Sequence, residues 1–496
     1  MHVRIPDDAA IDAAISRLIR ERAASRLHKH DATLFGAPDT PEIADRLGWL
    51  DLPGAMPATV AALTRQVPRA ERIFLVGMGG SSLAPEVFWR AAGMASHQVV
   101  DSTHPAAVLR AASTVTSGDL IIAASKSGTT VETRTILDVL FERHRQHATF
   151  MTITDPGSPL QHWADEHGCL NLAAPPDVGG RFSALSVFGL APAVAAGLNP
   201  MQWQPALADV VRLCQRDGTD NPGLVLAAAL AAAWQNGRDV LLVNDHPKAP
   251  LFPWIEQLLA ESLGKQGMGL IPLAAADQAG QPIDADQAIR LYCGPDVPAH
   301  SADILLTVNS FADMVAAMFV LEIATALAGH LLGVHPFNQP DVERAKSFAR
   351  EAMAGRRPAL DRPTSSDLDA WLDGVSPDHC LVVQAFVDPP DMRQVRQLAR
   401  GLAKRAGTWI NVSRGPRYLH ASGQLHKARS DRFSFLNLVD QPTTDCAIPG
   451  AAFTMGQLLR AQADADVAAL REKGARVFGG YWNDLRPRQT GGETEQ

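Results

Sequence analysis

From Ile73 onward one pattern recurs: a short apolar run, a break bearing glycine or polar residues, then a stretch with helical periodicity. IFLVG precedes SLAPEVFWRAA, QVVDS follows, LIIAAS precedes VETRTILDVLFERH, and MTITD precedes PLQHWADEHG. Short runs of apolar and β-branched residues read as buried strands, and the periodic stretches between them as helices. Alternation at this pitch builds βαβ units, in which each crossover helix returns the chain to the same sheet edge and the strands run parallel. Right-handed crossovers then line up the loops that follow the strands along one edge, where ligands of such sheets bind.

A second series starts after the Ala-rich helix from Leu224 to Trp234, with RDVLLVN, a helix around WIEQLLAESLGK, ADILLTVN and a long helix reaching Val334. A third stretch contains CLVVQAFV, a helix to Ala406, TWINV, FSFLNLV and a last helix before RVFGGYW. It is expected to complete the second sheet or to form an appended piece. The fold class is therefore α/β with doubly wound parallel sheets. The expected organisation is a helical arm over 1–50, without assigned chemistry, a first domain over 51–215, a second over 216–350, and an α/β extension over 351–496 that goes with the second. At about 100–200 residues per domain, the 496 residues have room for these units.

Charge and cysteines narrow the partners. Lys and Arg number 45 against 53 Asp and Glu, a net charge of −8, and no basic stripe stands out, so nucleic acid is not an expected partner. The 5 cysteines are odd in number and lack a Cys-x-x-Cys pair, which fits reduced thiols and a cytoplasmic protein. MHVRIPDDAAID carries two acids before any apolar run and does not read as a secretory signal. The longest apolar stretch, Met314 to Val334, contains Glu322 and His330, so a buried helix is expected rather than a membrane span.

Five segments carry chemistry. VGMGGSSLAPE, Val76 to Glu86, lies where strand gives way to helix; its glycines admit close backbone approach and the helix start favours an anion. A dinucleotide reading would use Gly77, Gly79 and Asp101, although Ser82 holds the third glycine position, and a plain tight turn is the other alternative. ASKSGTTVET, Ala124 to Thr133, gathers four hydroxyls and an ammonium before a helix, a cradle for a monophosphate ester rather than a Walker loop. In DVGGRFSALSVFGL, Asp177 to Leu190, paired glycines precede Arg181, a cation suited to an oxyanion or enediolate, or else to a structural ion pair. In WIEQLLAESLGKQG, Glu261 shares a helical stripe with Trp254, Leu258 and Lys265; burial there would raise it toward a general base, and an ordinary Glu–Lys pair is the alternative. GVHPFNQPDVERAK, Gly333 to Lys346, sets Gln339 at a helix mouth and Lys346 within the second turn.

Taken in this order, the segments resemble the glucose-6-phosphate isomerase family, with VGGRFSALSVFGL and PFNQPDVERAK matching its two signature regions. GPRYLHASGQLHKA, Gly415 to Ala428, looks like the short bacterial form that also occurs fused behind transaldolase, although no transaldolase barrel fits into this chain. The resemblance implies two sugar-isomerase domains, a homodimer, and reversible aldose–ketose isomerisation of glucose 6-phosphate and fructose 6-phosphate in glycolysis and gluconeogenesis. It implies no metal and no cofactor. Substrate binding falls on Gly80, Ser81, Ser125, Lys126, Ser127, Thr129 and Thr130, with Gln257 and Gln339 near the sugar phosphate. Glu261 becomes the base, Arg181 the enediolate stabiliser, and Lys346 the lysine near the ring oxygen and C1.

The family's ring-opening histidine has no counterpart around Val315 to Phe319. His426 is taken as the acid in its place, with His420, His335, His330 or Lys346 acting through water as alternatives. Acceptance of mannose 6-phosphate as a second substrate, a non-catalytic sugar-phosphate sensor, and a nicotinamide oxidoreductase using Asp101 are the rival functions.

Overall fold

The computed structural model describes residues 2–37, 39–278, 286–297, 302–353, 362–363 and 366–486, apart from the side chains of 342–346 and 352. β1 (Val3–Arg4) opens the chain, and β2 (Ile73–Gly77), β3 (Gln98–Val100), β4 (Leu120–Ala124), β5 (Thr149–Thr154) and β6 (Leu170–Ala173) form a parallel sheet ordered β3-β2-β4-β5-β6. IFLVG and LIIAA are buried at every position because helices cover both faces of the sheet, which is why neither strand alternates with polar residues. The strand order reverses between β2 and β4. That reversal opens a crevice at the ends of these two strands, and the glycine loop and the hydroxyl-rich loop both enter it.

The second sheet contains β7 (Val240–Asp245), β8 (Ile271–Ala274), β9 (Ala288–Gly294) and β10 (Ile304–Thr307), ordered β8-β7-β9-β10 and parallel. β1 adds to its edge antiparallel, Val3 opposite Leu306. β11 (Cys380–Phe386), β12 (Trp409–Arg414), β13 (Phe433–Val439) and β14 (Arg476–Tyr481) make a third parallel sheet, ordered β12-β11-β13-β14. All three sheets wind alike: the second strand of each lies beside the first on one side, and the later strands continue on the other.

The third stretch therefore forms a sheet of its own. It shares a core with the second sheet, where Val240, Leu242 and Leu273 meet Val382, Phe433 and Phe435. It reaches the first through Cys446, Ile448 and Met455, which share a buried cluster with Val76 and Ile121, and through ions: Arg414 contacts Asp101 at 2.6 Å, and Arg417 contacts both Asp101 (2.8 Å) and Glu86 (2.6 Å). Asp101 is 2% exposed and occupied by two guanidinium groups, so it offers no carboxylate to a ribose and the oxidoreductase reading loses its acid.

Residues 1–50 are built into the body rather than attached as an arm. Ile11, Ala14, Ile15 and Leu18 fall at i, i+3, i+4 and i+7 on helix Ala9–Arg20, and that buried stripe joins the core containing helix Pro222–Gln235. Asp8 caps the helix by accepting from the Ala10 N–H. Helix Phe311–Leu332 is long and apolar enough to cross a membrane, yet 89% of its apolar window is buried inside the protein. Ser310 caps its start, Gly333 ends it at φ 70°, and its Glu322 is buried with Oε1 lacking a hydrogen-bond partner among the described residues.

Candidate active site

One cavity of about 700 Å³ contains most of the residues singled out above. Its first wall is the switch-point crevice. After β4 the chain turns at Gly128 (φ +67°), whose N–H donates to the Ser125 carbonyl at 3.2 Å. The Ser125 and Thr130 hydroxyls lie 2.8 Å apart, and those of Ser127 and Thr129 lie 2.9 Å apart. Thr130 precedes helix Val131–His144 and makes no side-chain cap, so the first N–H groups of that helix stay open to an anion. After β2, Gly79 (φ +52°) and Gly80 lie against other backbone: a Cβ would meet the His420 carbonyl at Gly79 and the Gly180 carbonyl at Gly80. Only glycine admits that approach. Ser81 lines the cavity beside them.

Lys126 does not hold a free ammonium toward this wall. Its Nζ lies 2.9 Å from both Asp155 carboxylate oxygens, 3.1 Å from the Pro176 carbonyl and 3.3 Å from that of Pro175.

The opposite wall gathers Arg181, Gln257, Glu261 and Gln339. Glu261 Oε2 lies 3.3 Å from Arg181 Nε and 3.2 Å from Gln257 Nε2. Burial pushes the Glu261 carboxyl above the usual carboxylate range, and Arg181 and His420 oppose that push. Arg181, itself buried, reaches over the loop before helix Glu343–Met353. It donates to the carbonyls of Pro336 (3.3 Å), Phe337 (3.2 Å) and Asn338 (3.3 Å) and to the Gln339 side chain. The third, fourth and fifth segments thus meet at one guanidinium. Lys265 donates to the His335 carbonyl and does not line the cavity. The Lys346 side chain lies outside the described residues.

The two histidines of the Gly415–Ala428 segment part ways. His426 is 2% exposed, enclosed by Tyr418, Phe433 and Phe435, and does not line the cavity. Burial and the neighbouring Lys427 push it down to about 3, so it is a neutral core imidazole near neutral pH, and the expectation that it joins the site is not met. His420 does line the cavity. Its Nε2 lies 3.0 Å from Glu132 Oε1, which also accepts from Gln462 Nε2 at 2.7 Å, and its carbonyl accepts from Gln257 Nε2 at 2.9 Å. His330 pairs with Glu21 at 2.7 Å, and His335 Nε2 is 3.0 Å from the Pro41 carbonyl; neither lines the cavity.

Sequence reasoning missed Glu42, Arg46, Glu132, Lys427 and Gln462, all in the cavity wall. Glu132 had a signal, being a carboxylate in the first turn of the helix after the cradle, and Lys427 lies within the Gly415–Ala428 segment beside His426; Glu42, Arg46 and Gln462 sit in segments without a motif.

No family model matches the chain. Its relatives agree with one another. The glucose-6-phosphate isomerase of Rubrobacter xylanophilus is 29% identical over 410 residues, covering 64% of this chain and 94% of that protein. The isomerase of Thermus thermophilus is 29% identical over 388 residues, covering 63% and 92%. The chain is similar to glucose-6-phosphate isomerases. The crystal structure of a glucose-6-phosphate isomerase from Chlamydia trachomatis matches with a TM-score of 0.53 at 15% identity, over 71% of this chain and 88% of that one. The crystal structure of a hypothetical protein from Thermus thermophilus matches at 0.58 and 24% identity, over 71% and 100%. These structures bear out the sugar-isomerase type of α/β fold.

Proposed function

We propose that this chain interconverts glucose 6-phosphate and fructose 6-phosphate through a cis-enediol intermediate. The observation that carries this reading is the facing of two walls across one cavity: an anion cradle on the first sheet, and a buried carboxylate held against a guanidinium on the other side. Phosphate held by Ser127, Thr129, Thr130 and the open helix start, with the buried Ser125 bonded to Thr130 behind them, anchors the sugar away from its reacting carbons. That remote binding orients C1 and C2 against Glu261.

Glu261 takes the proton from C2 of the open-chain aldose and returns it to C1, while one proton passes from O2 to O1. Burial raises its proton affinity toward the range a general base needs. Arg181 balances the negative charge that develops on the enediol oxygens. Gln257 donates to Glu261 and holds its Oε2 in place. His420, oriented by Glu132 and Gln462, protonates the ring oxygen as its bond to the anomeric carbon breaks, while the anomeric hydroxyl releases its proton to solvent; sequence assigned this acid to His426. Lys346 keeps its proposed place near the ring oxygen. In this reading the chain is of the short bacterial form also found fused to transaldolase, and works in the cytoplasm as a homodimer without a metal or redox cofactor.

The test is EDTA-treated protein given fructose 6-phosphate or mannose 6-phosphate, with glucose 6-phosphate followed by a coupled dehydrogenase. Product from fructose 6-phosphate is expected, and product from mannose 6-phosphate as well would widen the specificity. Binding of the sugars without turnover would replace the enzyme by a sensor.

A further inference from the structure

We propose that Arg46, from the segment before the first sheet, supplies the cation that meets the substrate phosphate. The inference rests on the sugar-phosphate reading above and names a specificity residue for it.

Lys126 cannot fill this role in the arrangement seen. An ammonium has three N–H donors, and Lys126 Nζ already faces four oxygens, two from the Asp155 carboxylate and two from main-chain carbonyls. A phosphate monoester carries about −1.5 to −2 near pH 7, and a helix start offers only about half a positive charge. The cradle's own two loops therefore offer no free cation; of the other cations lining the cavity, Arg181 pairs with Glu261 and Lys427 with Asp466, which leaves Arg46 and the exposed Arg350, and only Arg46 acts on Asp155.

Arg46 stands where one is needed. It lines the same cavity as Lys126, Ser127 and Asp155, and its Cδ lies 4.0 Å from where a Cβ at Gly179 would be. Burial pushes the Asp155 carboxyl upward, and Lys126 and then Arg46 pull against it, so Arg46 acts on the cradle's own carboxylate. Its NH1 donates to the Asp45 carbonyl (2.9 Å) and carboxylate (2.8 Å). Its NH2 has Glu42 Oε1 at 3.8 Å, beyond hydrogen-bond reach, and makes no hydrogen bond among the described residues. The segment is pinned on both sides: His335 Nε2 lies 3.0 Å from the Pro41 carbonyl, Gly48 N–H donates to the Asp177 carbonyl at 3.1 Å, and Leu47 bridges to Val178. Trp49 stacks on Phe182 at 4.9 Å. Arg46 is thereby held beside the Gly179–Gly180 turn rather than swinging in solvent.

The experiment compares wild type with Arg46→Ala and Arg46→Lys, reading kcat and KM for fructose 6-phosphate and, by calorimetry, the dissociation constant of inorganic phosphate. A charge-assisted hydrogen bond corresponds to roughly a ten- to hundredfold change in affinity. Arg46→Ala should therefore raise KM and the phosphate dissociation constant together by that factor and leave kcat within about twofold, with Arg46→Lys between it and wild type. Unchanged KM and phosphate affinity in Arg46→Ala would overturn the proposal, as would a fall in kcat alone, which marks a structural role. Should Arg46→Ala not fold, a phosphate affinity in Arg46→Lys equal to wild type overturns it. Phosphate binding needs no turnover: a wild type that binds phosphate but does not isomerise would sink the isomerase reading while Arg46 is still tested.

Discussion

The two walls of the cavity are built in different ways. The phosphate wall comes from two loops at adjacent strand ends of one sheet, closed by hydroxyl pairs within six residues of chain and by open N–H groups of one helix. The reacting wall comes from Arg181, helix Phe252–Leu263, the 335–339 loop and the 415–428 segment, with Glu132 reaching in from the first turn of the cradle's own helix and Gln462 from helix Met455–Glu472. The first wall is built chiefly within one sheet, from the loops of two adjacent strands. The second exists only when three sheets are docked, so its residues should be the ones whose loss is felt both in chemistry and in assembly.

Glu261→Gln should show the largest effect, a loss in kcat of about 10³-fold, within the range typical of a removed general base, with fructose 6-phosphate affinity by calorimetry little changed. A comparable loss from Ser125→Ala without loss of affinity would break the division between anchoring and reacting walls. Asp101→Ala probes the docking: it removes the buried carboxylate shared by the partly buried Arg414 and Arg417, of which Arg417 keeps Glu86, and should cost about 1–3 kcal/mol in urea unfolding. His420→Gln should lower turnover of ring-closed fructose 6-phosphate by about 10²-fold, whereas His426→Gln should act on stability and leave turnover near wild type.

Two pH effects are smaller. Glu261 must be ionised to act, and burial raises its proton affinity, so activity should fall with decreasing pH at a midpoint above 4.5, the ordinary glutamate value. Glu322 has its pKa raised well above 4.5 by burial, and its Oε1 has no hydrogen-bond partner among the described residues. Between 4.5 and that raised value the folded state keeps a proton that the unfolded state has released. Stability therefore declines as pH rises through that window. Glu322→Met should remove the slope and add about 1–2 kcal/mol at the alkaline end, read by melting at two pH values.

The contrast between the walls also explains what the sequence made legible. IFLVG, LIIAAS and CLVVQAFV announce strands because burial on both faces demands unbroken apolar runs. LNLA, IPLA and AIRLYCG form β6, β8 and β9 without such a signal, the first and third carrying polar residues and the second a proline. Glu261 and Arg181 stood out because a carboxylate on an apolar stripe and an arginine after paired glycines need a reason. Choosing between His420 and His426 required the third sheet, since the residues are six apart in one segment and only tertiary contacts send one to the cavity and the other into an aromatic core. Arg46 lies in a segment whose composition suggested only a connecting arm, and its place at the site follows from the bridge between Leu47 and Val178.

The most direct test of the account is the turnover of fructose 6-phosphate by the EDTA-treated protein in D₂O, with the product analysed by NMR. A proton carried by Glu261 exchanges with solvent, so the account predicts glucose 6-phosphate bearing deuterium at C2. Absence of glucose 6-phosphate, or its formation with only protium at C2, would contradict it.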